Sequence, residues 1–96
     1  MMINKAAVVG AGLMGSGIAR HMASHSIQVT LVDNNEEQLA RAARVNENSD
    51  LQYTSDMTAI NGVDYVIEAV FEDLDVKRKV LSQISSAVSP DCLIAS

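Results

Sequence analysis

The chain has 96 residues, of which 48% are hydrophobic, and a formal net charge of −5. This length suits one small domain over residues 1–96, with a modest core and no room for a separate catalytic domain. The acidic balance argues against DNA, RNA or an anionic membrane as partner, because each attracts clustered Lys and Arg. Two tyrosines, one phenylalanine and no tryptophan also make a poor platform for stacking bases.

Cysteine usage and the N-terminus indicate where the chain resides. Its single cysteine, Cys92, lies in an apolar run, so we expect a buried thiol, no disulfide and a reducing cytoplasm. Near the N-terminus, Lys5 precedes only four apolar residues before glycines interrupt them. We therefore expect neither a signal peptide nor a membrane span.

The chain begins with a strand pattern followed by a helix pattern. Residues 3–9 end in the apolar run Ala-Ala-Val-Val, which meets a glycine as a buried parallel strand does. Apolar and small residues then recur at helical spacing and predict a helix from Leu13 to about His25, closed by Ser26.

A second strand and helix follow. Residues 27–32 are β-branched and apolar, and they predict a strand that ends on the carboxylate of Asp33. Asn34, with Glu37 three residues later, has the pattern of a capping box, which predicts a second helix running through Ala43.

The middle of the chain has weaker patterns. Residues 46–50 are polar and turn-like, residues 51–55 predict a short third strand, and residues 56–60 predict a brief turn or helix. An Asn-Gly turn at residues 61–62 then precedes a fourth strand over residues 64–70.

The last part of the chain predicts one more helix and one more strand. Helical spacing extends over residues 74–88 until Ser89-Pro90 ends it, and residues 92–95 begin a fifth strand. Alternating strands and helices indicate an α/β fold with a parallel sheet. Right-handed crossovers then favour the strand order 3-2-1-4-5.

A glycine-rich loop joins the first strand to the first helix. Its residues are Gly10, Ala11, Gly12, Leu13, Met14 and Gly15. In the pattern G-x-G-x-x-G the first glycine permits a tight turn, the second lets a pyrophosphate approach the backbone, and the third lets helix and strand pack closely. The N–H groups around Leu13 and Met14, with the helix dipole, would meet the phosphate charge. This strand–loop–helix context indicates a Rossmann-type dinucleotide site. FAD, S-adenosylmethionine or no nucleotide remain alternatives.

Asp33 bears on the choice of nucleotide. It ends the second strand 18 residues after Gly15, where a carboxylate can accept hydrogen bonds from both ribose hydroxyls of an adenosine. A 2′-phosphate would be repelled there, and the following residues 34–36 contain no arginine to bind it. The sequence therefore favours NAD over NADP. The alternative is a simple turn carboxylate.

Three segments together resemble one family. Residues 10–19, residues 31–33 and residues 64–74 (Asp-Tyr-Val-Ile-Glu-Ala-Val-Phe-Glu-Asp-Leu) are similar to the NAD-binding domain of 3-hydroxyacyl-CoA dehydrogenases, and the resemblance covers nearly the whole chain. It implies hydride transfer between NAD and a 3-hydroxyacyl-CoA in fatty acid metabolism. It also implies that residues 10–15 hold the pyrophosphate and that Asp33 holds the ribose.

The resemblance further implies that Glu72 and Lys77 line the nicotinamide side of NAD. The alternative interpretation of these two residues is that they belong to a solvated charge cluster at the start of a helix, over residues 72–79. Glu68, at the end of the fourth strand, faces either the site or solvent.

The chain departs from the family in two places. Between Arg44 and Leu51 the family carries a longer helical segment that helps to hold coenzyme A, and the chain stops at Ser96, before the family's catalytic histidine and glutamate. We therefore assign no catalytic residue and expect an acyl-CoA substrate only in a complete enzyme. His21 and His25 share a helix face, but a solvent-exposed pair is favoured over a metal site.

Two hypotheses about function follow. The first is the NAD-binding portion of a dehydrogenase, inactive by itself. The second is a stand-alone nucleotide-binding module that self-associates, because the fourth and fifth strands lack cover and the fifth is a bare edge. A homo-oligomer is therefore expected, and marginal folding of so small a core is a third possibility.

Overall fold

A computed structural model describes residues 3–70 and 73–96. In chain order its elements are β1 (Lys5–Val9), α1 (Leu13–Ala23), β2 (Gln28–Val32), α2 (Glu36–Val45), β3 (Leu51–Thr54), a 3₁₀ helix (Met57–Ile60), β4 (Tyr65–Glu68), α3 (Leu74–Ala87) and β5 (Leu93–Ala95). Each predicted strand and helix is present, with ends that differ by up to two residues. The predicted brief turn or helix at residues 56–60 is the 3₁₀ helix.

The five strands form one parallel sheet in the order β3-β2-β1-β4-β5, as the sequence predicts. β1 is the central strand, and its last residue, Val9, is paired in register with Val32 of β2 and Glu68 of β4. Because all strands run the same way, the residues that follow β1, β2 and β4 meet at one edge of the sheet.

Each face of the sheet has its own hydrophobic core, because successive side chains of a strand point to opposite faces. One core packs α1 and α2 against the sheet and contains Val8, Ala11, Ala19, Val29, Leu31, Leu39, Ala42 and Ala69. The other packs the 3₁₀ helix and α3 against the opposite face and contains Ala7, Val9, Val32, Ile60, Val66 and Ile84. The strands of the centre are therefore covered on both sides, which explains their continuous apolar runs.

The expected capping box of α2 is wrong by one residue. Asn35, and not Asn34, caps this helix: its side-chain oxygen accepts hydrogen bonds from the N–H groups of Glu37 and Gln38, at 3.0 and 3.2 Å. The shift arises because Asp33 accepts a hydrogen bond from the N–H of Asn35 at 2.9 Å. This small turn uses one more residue before the helix can begin.

The environment of Cys92 and the end of α1 differ from what the sequence predicts. Cys92 is half-buried rather than fully buried, and burial together with the negative charge of Asp64 raises the pKa of its thiol. α1 ends at Ala23, two residues earlier than expected, and Ser26 closes the following turn in a left-handed conformation with φ of 65°. Within the described residues, no helix is long and apolar enough to cross a membrane.

Candidate functional site

A cleft of about 790 Å³ opens at the edge of the sheet where the parallel strands end. Its lining includes Val9 and Gly10 after β1, Val32 and Asp33 after β2, and Val70 after β4. After β1 the chain crosses over to β2, which lies on one side of β1 in the sheet, whereas β4 lies on the other side. Such a switch point is where open α/β sheets bind their ligands, and the volume falls within the range of cofactor sites.

The glycine loop has the backbone geometry that its three glycines predict. Gly10 has φ of 115°, and a Cβ there would lie 2.6 Å from the carbonyl oxygen of Ala69. A Cβ on Gly15 would collide with the carbonyl of Gly10. A Cβ on Gly12, by contrast, would meet nothing within 4 Å. Gly10 and Gly15 are therefore needed for the fold, whereas Gly12 leaves open space in front of the loop.

The start of α1 is suited to an anion. Its N-cap residue, Gly12, offers no side chain to the first N–H groups, and the first turn carries no acidic residue. In contrast, Asn35 caps α2 and Asp73 caps α3, and both of those helices have acids in their first turns. No capping side chain or acid therefore competes for the first N–H groups of α1, and together with the positive end of the helix dipole they suit a pyrophosphate.

The two side chains that follow Gly12 are exposed to solvent. Leu13 is 91% exposed and Met14 is 55% exposed, whereas Gly15 and Ser16 behind them are buried. The sequence analysis counted Leu13 among the apolar positions at helical spacing, and the structure corrects this, because its side chain lies in solvent. The exposure of the Met14 side chain was not predicted.

Asp33 is attached to the glycine loop. Its Oδ2 accepts a hydrogen bond from the N–H of Ala11 at 2.8 Å, and its Oδ1 accepts one from Asn35. The carboxylate is half-buried and lines the cleft beside Gly12. Because each carboxylate oxygen has more than one lone pair, ribose hydroxyls can still donate to it.

The apolar walls of the cleft come from segments that the sequence analysis did not assign to a site. They include Met57 of the 3₁₀ helix, Val70 after β4, and Val76 and Val80 of α3. Their helical or strand periodicity predicted core positions only. No local signal distinguishes a core valine from one that lines a cleft.

Glu68 faces the interior of the protein rather than solvent, and it is not among the residues that line the described cleft. Its side chain is 0% exposed and forms an ion pair with Lys77, with 2.8 Å between Oε1 and Nζ. Burial acts to raise the pKa of the Glu68 carboxyl, but hydrogen bonds from Lys77, Ser96 and Val70 outweigh it, so the pKa lies below its ordinary value. The Glu68 carboxylate therefore stays charged at neutral pH.

The lining of the described cleft does not include His21 or His25. Glu72 is not among the described residues. His21 and His25 are exposed on and just after α1, with ring centroids 4.8 Å apart. Within residues 3–70 and 73–96, no three His, Cys, Asp or Glu side chains cluster as a metal site would require.

Comparison with known families decides the class of the protein. The family described as 3-hydroxyacyl-CoA dehydrogenase, NAD binding domain, matches residues 5–96. The chain belongs to this family. Its cofactor is therefore NAD, as the glycine loop and Asp33 predict, and its five-stranded parallel sheet is the NAD-binding fold of these oxidoreductases.

Individual relatives agree with this assignment. The chain is 32% identical over 120 residues to a probable 3-hydroxyacyl-CoA dehydrogenase of Caenorhabditis elegans, covering 98% of this chain and 39% of the relative. It is 32% identical over 112 residues to the peroxisomal bifunctional enzyme of Homo sapiens, covering 98% and 16%. The crystal structure of 3-hydroxybutyryl-CoA dehydrogenase from Escherichia coli superposes with a TM-score of 0.86 at 33% identity, covering 98% and 24%.

The lengths of these matches show how the chain differs in length from its relatives. The chain spans less than half the length of each relative. The two sequence alignments also run over 120 and 112 residues, which exceeds the 96 residues of the chain. The relatives therefore contain residues within the aligned region that have no counterpart here, in agreement with the expected internal shortening.

Proposed function

We propose that NAD lies across the cleft with its pyrophosphate on the loop from Gly10 to Gly15 and its adenosine ribose on Asp33. The observation that carries this proposal is the open space in front of Gly12, beside a helix start that no side chain caps. A dinucleotide anchored at the loop and at Asp33 extends its other half toward β4. Lys77, and Glu72 by family resemblance, would then border the nicotinamide.

We further propose that the complete enzyme transfers hydride between NAD and a 3-hydroxyacyl-CoA, while the 96 residues alone bind NAD without turnover. Oxidation of a hydroxyl needs a general base within hydrogen-bond reach. Neither His21 nor His25 lines the described cleft. An acyl-CoA partner belongs to the complete enzyme.

A titration tests both statements. The chain is titrated with NADH and NADPH while nucleotide fluorescence is followed, and acetoacetyl-CoA is then added to the NADH complex. We expect saturable binding of NADH, weaker binding of NADPH and no loss of NADH absorbance. Failure to bind NADH contradicts the proposed site, and oxidation of NADH contradicts the proposed lack of turnover.

A second candidate function is self-association. One face of the sheet is covered by α1 and α2 in its other part but continues onto β4 and β5. Strand register places on this face Tyr65, Ile67 and Leu93, and Leu93 is 46% exposed. β5 is an edge strand of the described sheet, so its outer backbone groups have no strand partner. A second copy would cover both features and give a homo-oligomer. Sedimentation over a range of concentrations tests this, because a monomer at high concentration contradicts it.

We propose the cytoplasm as the location of the protein. The support is the single cysteine without a disulfide partner. The name of the human relative makes the peroxisome the competing location. A fluorescent fusion of the complete protein in its own cells separates the two.

A further inference from the structure

The carboxylate of Glu68 joins three separate parts of the chain. It accepts hydrogen bonds from the N–H of Val70 at 2.5 Å and from the hydroxyl of Ser96 at 2.8 Å, and it pairs with the ammonium of Lys77 at 2.8 Å. These partners come from the turn after β4, the residue after β5 and the first turns of α3. All the described polar partners of this carboxylate thus converge at the carboxyl edge of the sheet.

A charge at this position is costly to bury. Glu68 pairs in register with Val9 on the central strand β1, where the surrounding strand positions are apolar. Taking a carboxylate out of water is repaid only by good geometry. The Glu68 side chain is fully buried, whereas the Lys77 side chain is 32% exposed. Three polar partners offset this cost and hold the charge in place, and the residues that follow Glu68 line the cleft, so the same charge can also act on the site.

Neither Glu68 nor Lys77 is among the residues that line the described cleft, but their neighbours in the chain are. Ala69 and Val70, which follow Glu68 directly, line the cleft, and so does Val76, the neighbour of Lys77. Asp33 and Glu68 come at the ends of the two strands that flank β1. A dinucleotide that places its adenosine at Asp33 directs its nicotinamide toward the Glu68–Lys77 side.

We propose that Glu68 is a positioning residue that sets the charge at the nicotinamide end of the cleft by holding and neutralising Lys77. This inference rests on the proposed orientation of NAD. The nicotinamide ring is a cation in NAD⁺ and neutral in NADH. With Glu68 present, the ammonium of Lys77 is balanced, and the oxidised ring enters without repulsion. The same contact with Val70 holds the backbone turn that packs on Gly10.

Charge-changing variants test this proposal through the ratio of NAD⁺ affinity to NADH affinity. A purely structural role of Glu68 would leave that ratio unchanged. Glu68→Gln keeps the size of the side chain but leaves Lys77 unbalanced. We expect NAD⁺ affinity to fall about fivefold more than NADH affinity, the scale of one partly screened unit charge. Lys77→Met removes the positive charge and is expected to shift the ratio of the two affinities toward NAD⁺. The double variant is expected to return that ratio close to its original value.

The experiment measures dissociation constants for NAD⁺ and NADH by calorimetry on the unchanged chain, the three variants and Lys79→Met. Lys79 lies exposed on α3 and matches the charge change of Lys77→Met. If Glu68→Gln fails to fold, Lys77→Met alone carries the test. An unchanged ratio in a folded variant, or an equal shift with Lys79→Met, overturns the proposal while the NAD site stands. Failure of the unchanged chain to bind either nucleotide overturns both.

Discussion

The carboxylate of Asp33 and the backbone N–H of Ala11 are joined by a hydrogen bond of 2.8 Å, across 22 residues of sequence. Asp33 therefore fixes the glycine loop before any nucleotide arrives, in addition to its proposed contact with the ribose. Substitutions at Asp33 should therefore change both the geometry of the loop and the choice of nucleotide.

Replacing Asp33 by Asn separates these duties. The amide oxygen still accepts from Ala11, but the negative charge and one acceptor oxygen are lost. We expect NAD affinity to fall by roughly tenfold or more, because hydrogen bonds to a charged group contribute about 1.5–3 kcal/mol. Discrimination against NADP should weaken, because the repulsion of its 2′-phosphate is removed. Calorimetry with both nucleotides measures this, and Asp50→Asn, on an exposed residue after α2, is the control. Unaltered NAD affinity would contradict the assignment of Asp33.

The glycines of the loop should differ in what their replacement damages. Gly12→Ala meets open space, so we expect a nearly unchanged melting temperature and a loss of NAD binding. Gly15→Ala collides with the Gly10 carbonyl and should destabilise the chain by several kcal/mol. Thermal melts and NADH titration separate the two effects. Gly62→Ala also meets nothing within 4 Å but lies outside the cleft lining, so it should change neither quantity. Normal NAD binding by Gly12→Ala would rule out close contact between the loop and the cofactor.

Acid should destabilise the fold through its carboxylates. The pKa values of Glu68 and Asp64 lie below their ordinary values of 4.5 and 3.8. A depressed folded pKa means that the stabilisation is present above the ordinary value and is lost as the pH falls through the folded value. Urea unfolding between pH 7 and pH 3 should therefore show stability falling below about pH 4.5. The slope should be shallower in Glu68→Gln, and an equal slope in both chains would contradict the role given to the ion pair.

Asn46 should stabilise the packing of the end of α2 against α1. It is 2% exposed, its amide donates to Ser16 Oγ, and its oxygen accepts from Arg20 at 2.9 Å. Asn46→Ala leaves the buried Ser16 without this partner, and we expect a loss of about 1–3 kcal/mol in the free energy of unfolding. Urea denaturation measures it. Asn48→Ala, two residues later and exposed, should have little effect. Equal losses in both variants would show that the loop as a whole, rather than the Asn46 contacts, sets the stability.

The sequence predicts the fold well because periodicity and turn residues act locally. The first strand, the glycine loop and the first helix depend on patterns within about ten residues, whereas the strand order follows from the right-handedness of the crossovers. The exact start of α2 does not, because Asn34 and Asn35 are chemically identical candidates and only the contact between Asp33 and Asn35 selects one. The contacts of Glu68 cannot be predicted from the residues around it, because its partner Ser96 lies 28 residues away.

The position of β1 at the centre of the sheet has a consequence for the order of assembly. β1 is synthesised before the other described strands, yet one of its two neighbours, β4, begins only at Tyr65. The backbone of Ala69, just after β4, packs so closely on Gly10 that a Cβ there would lie 2.6 Å from its carbonyl oxygen. The glycine loop is therefore synthesised before the segment that packs against it. A nascent chain that ends before Ala69 lacks this contact, so acquisition of nucleotide affinity during synthesis would report the moment at which β4 docks.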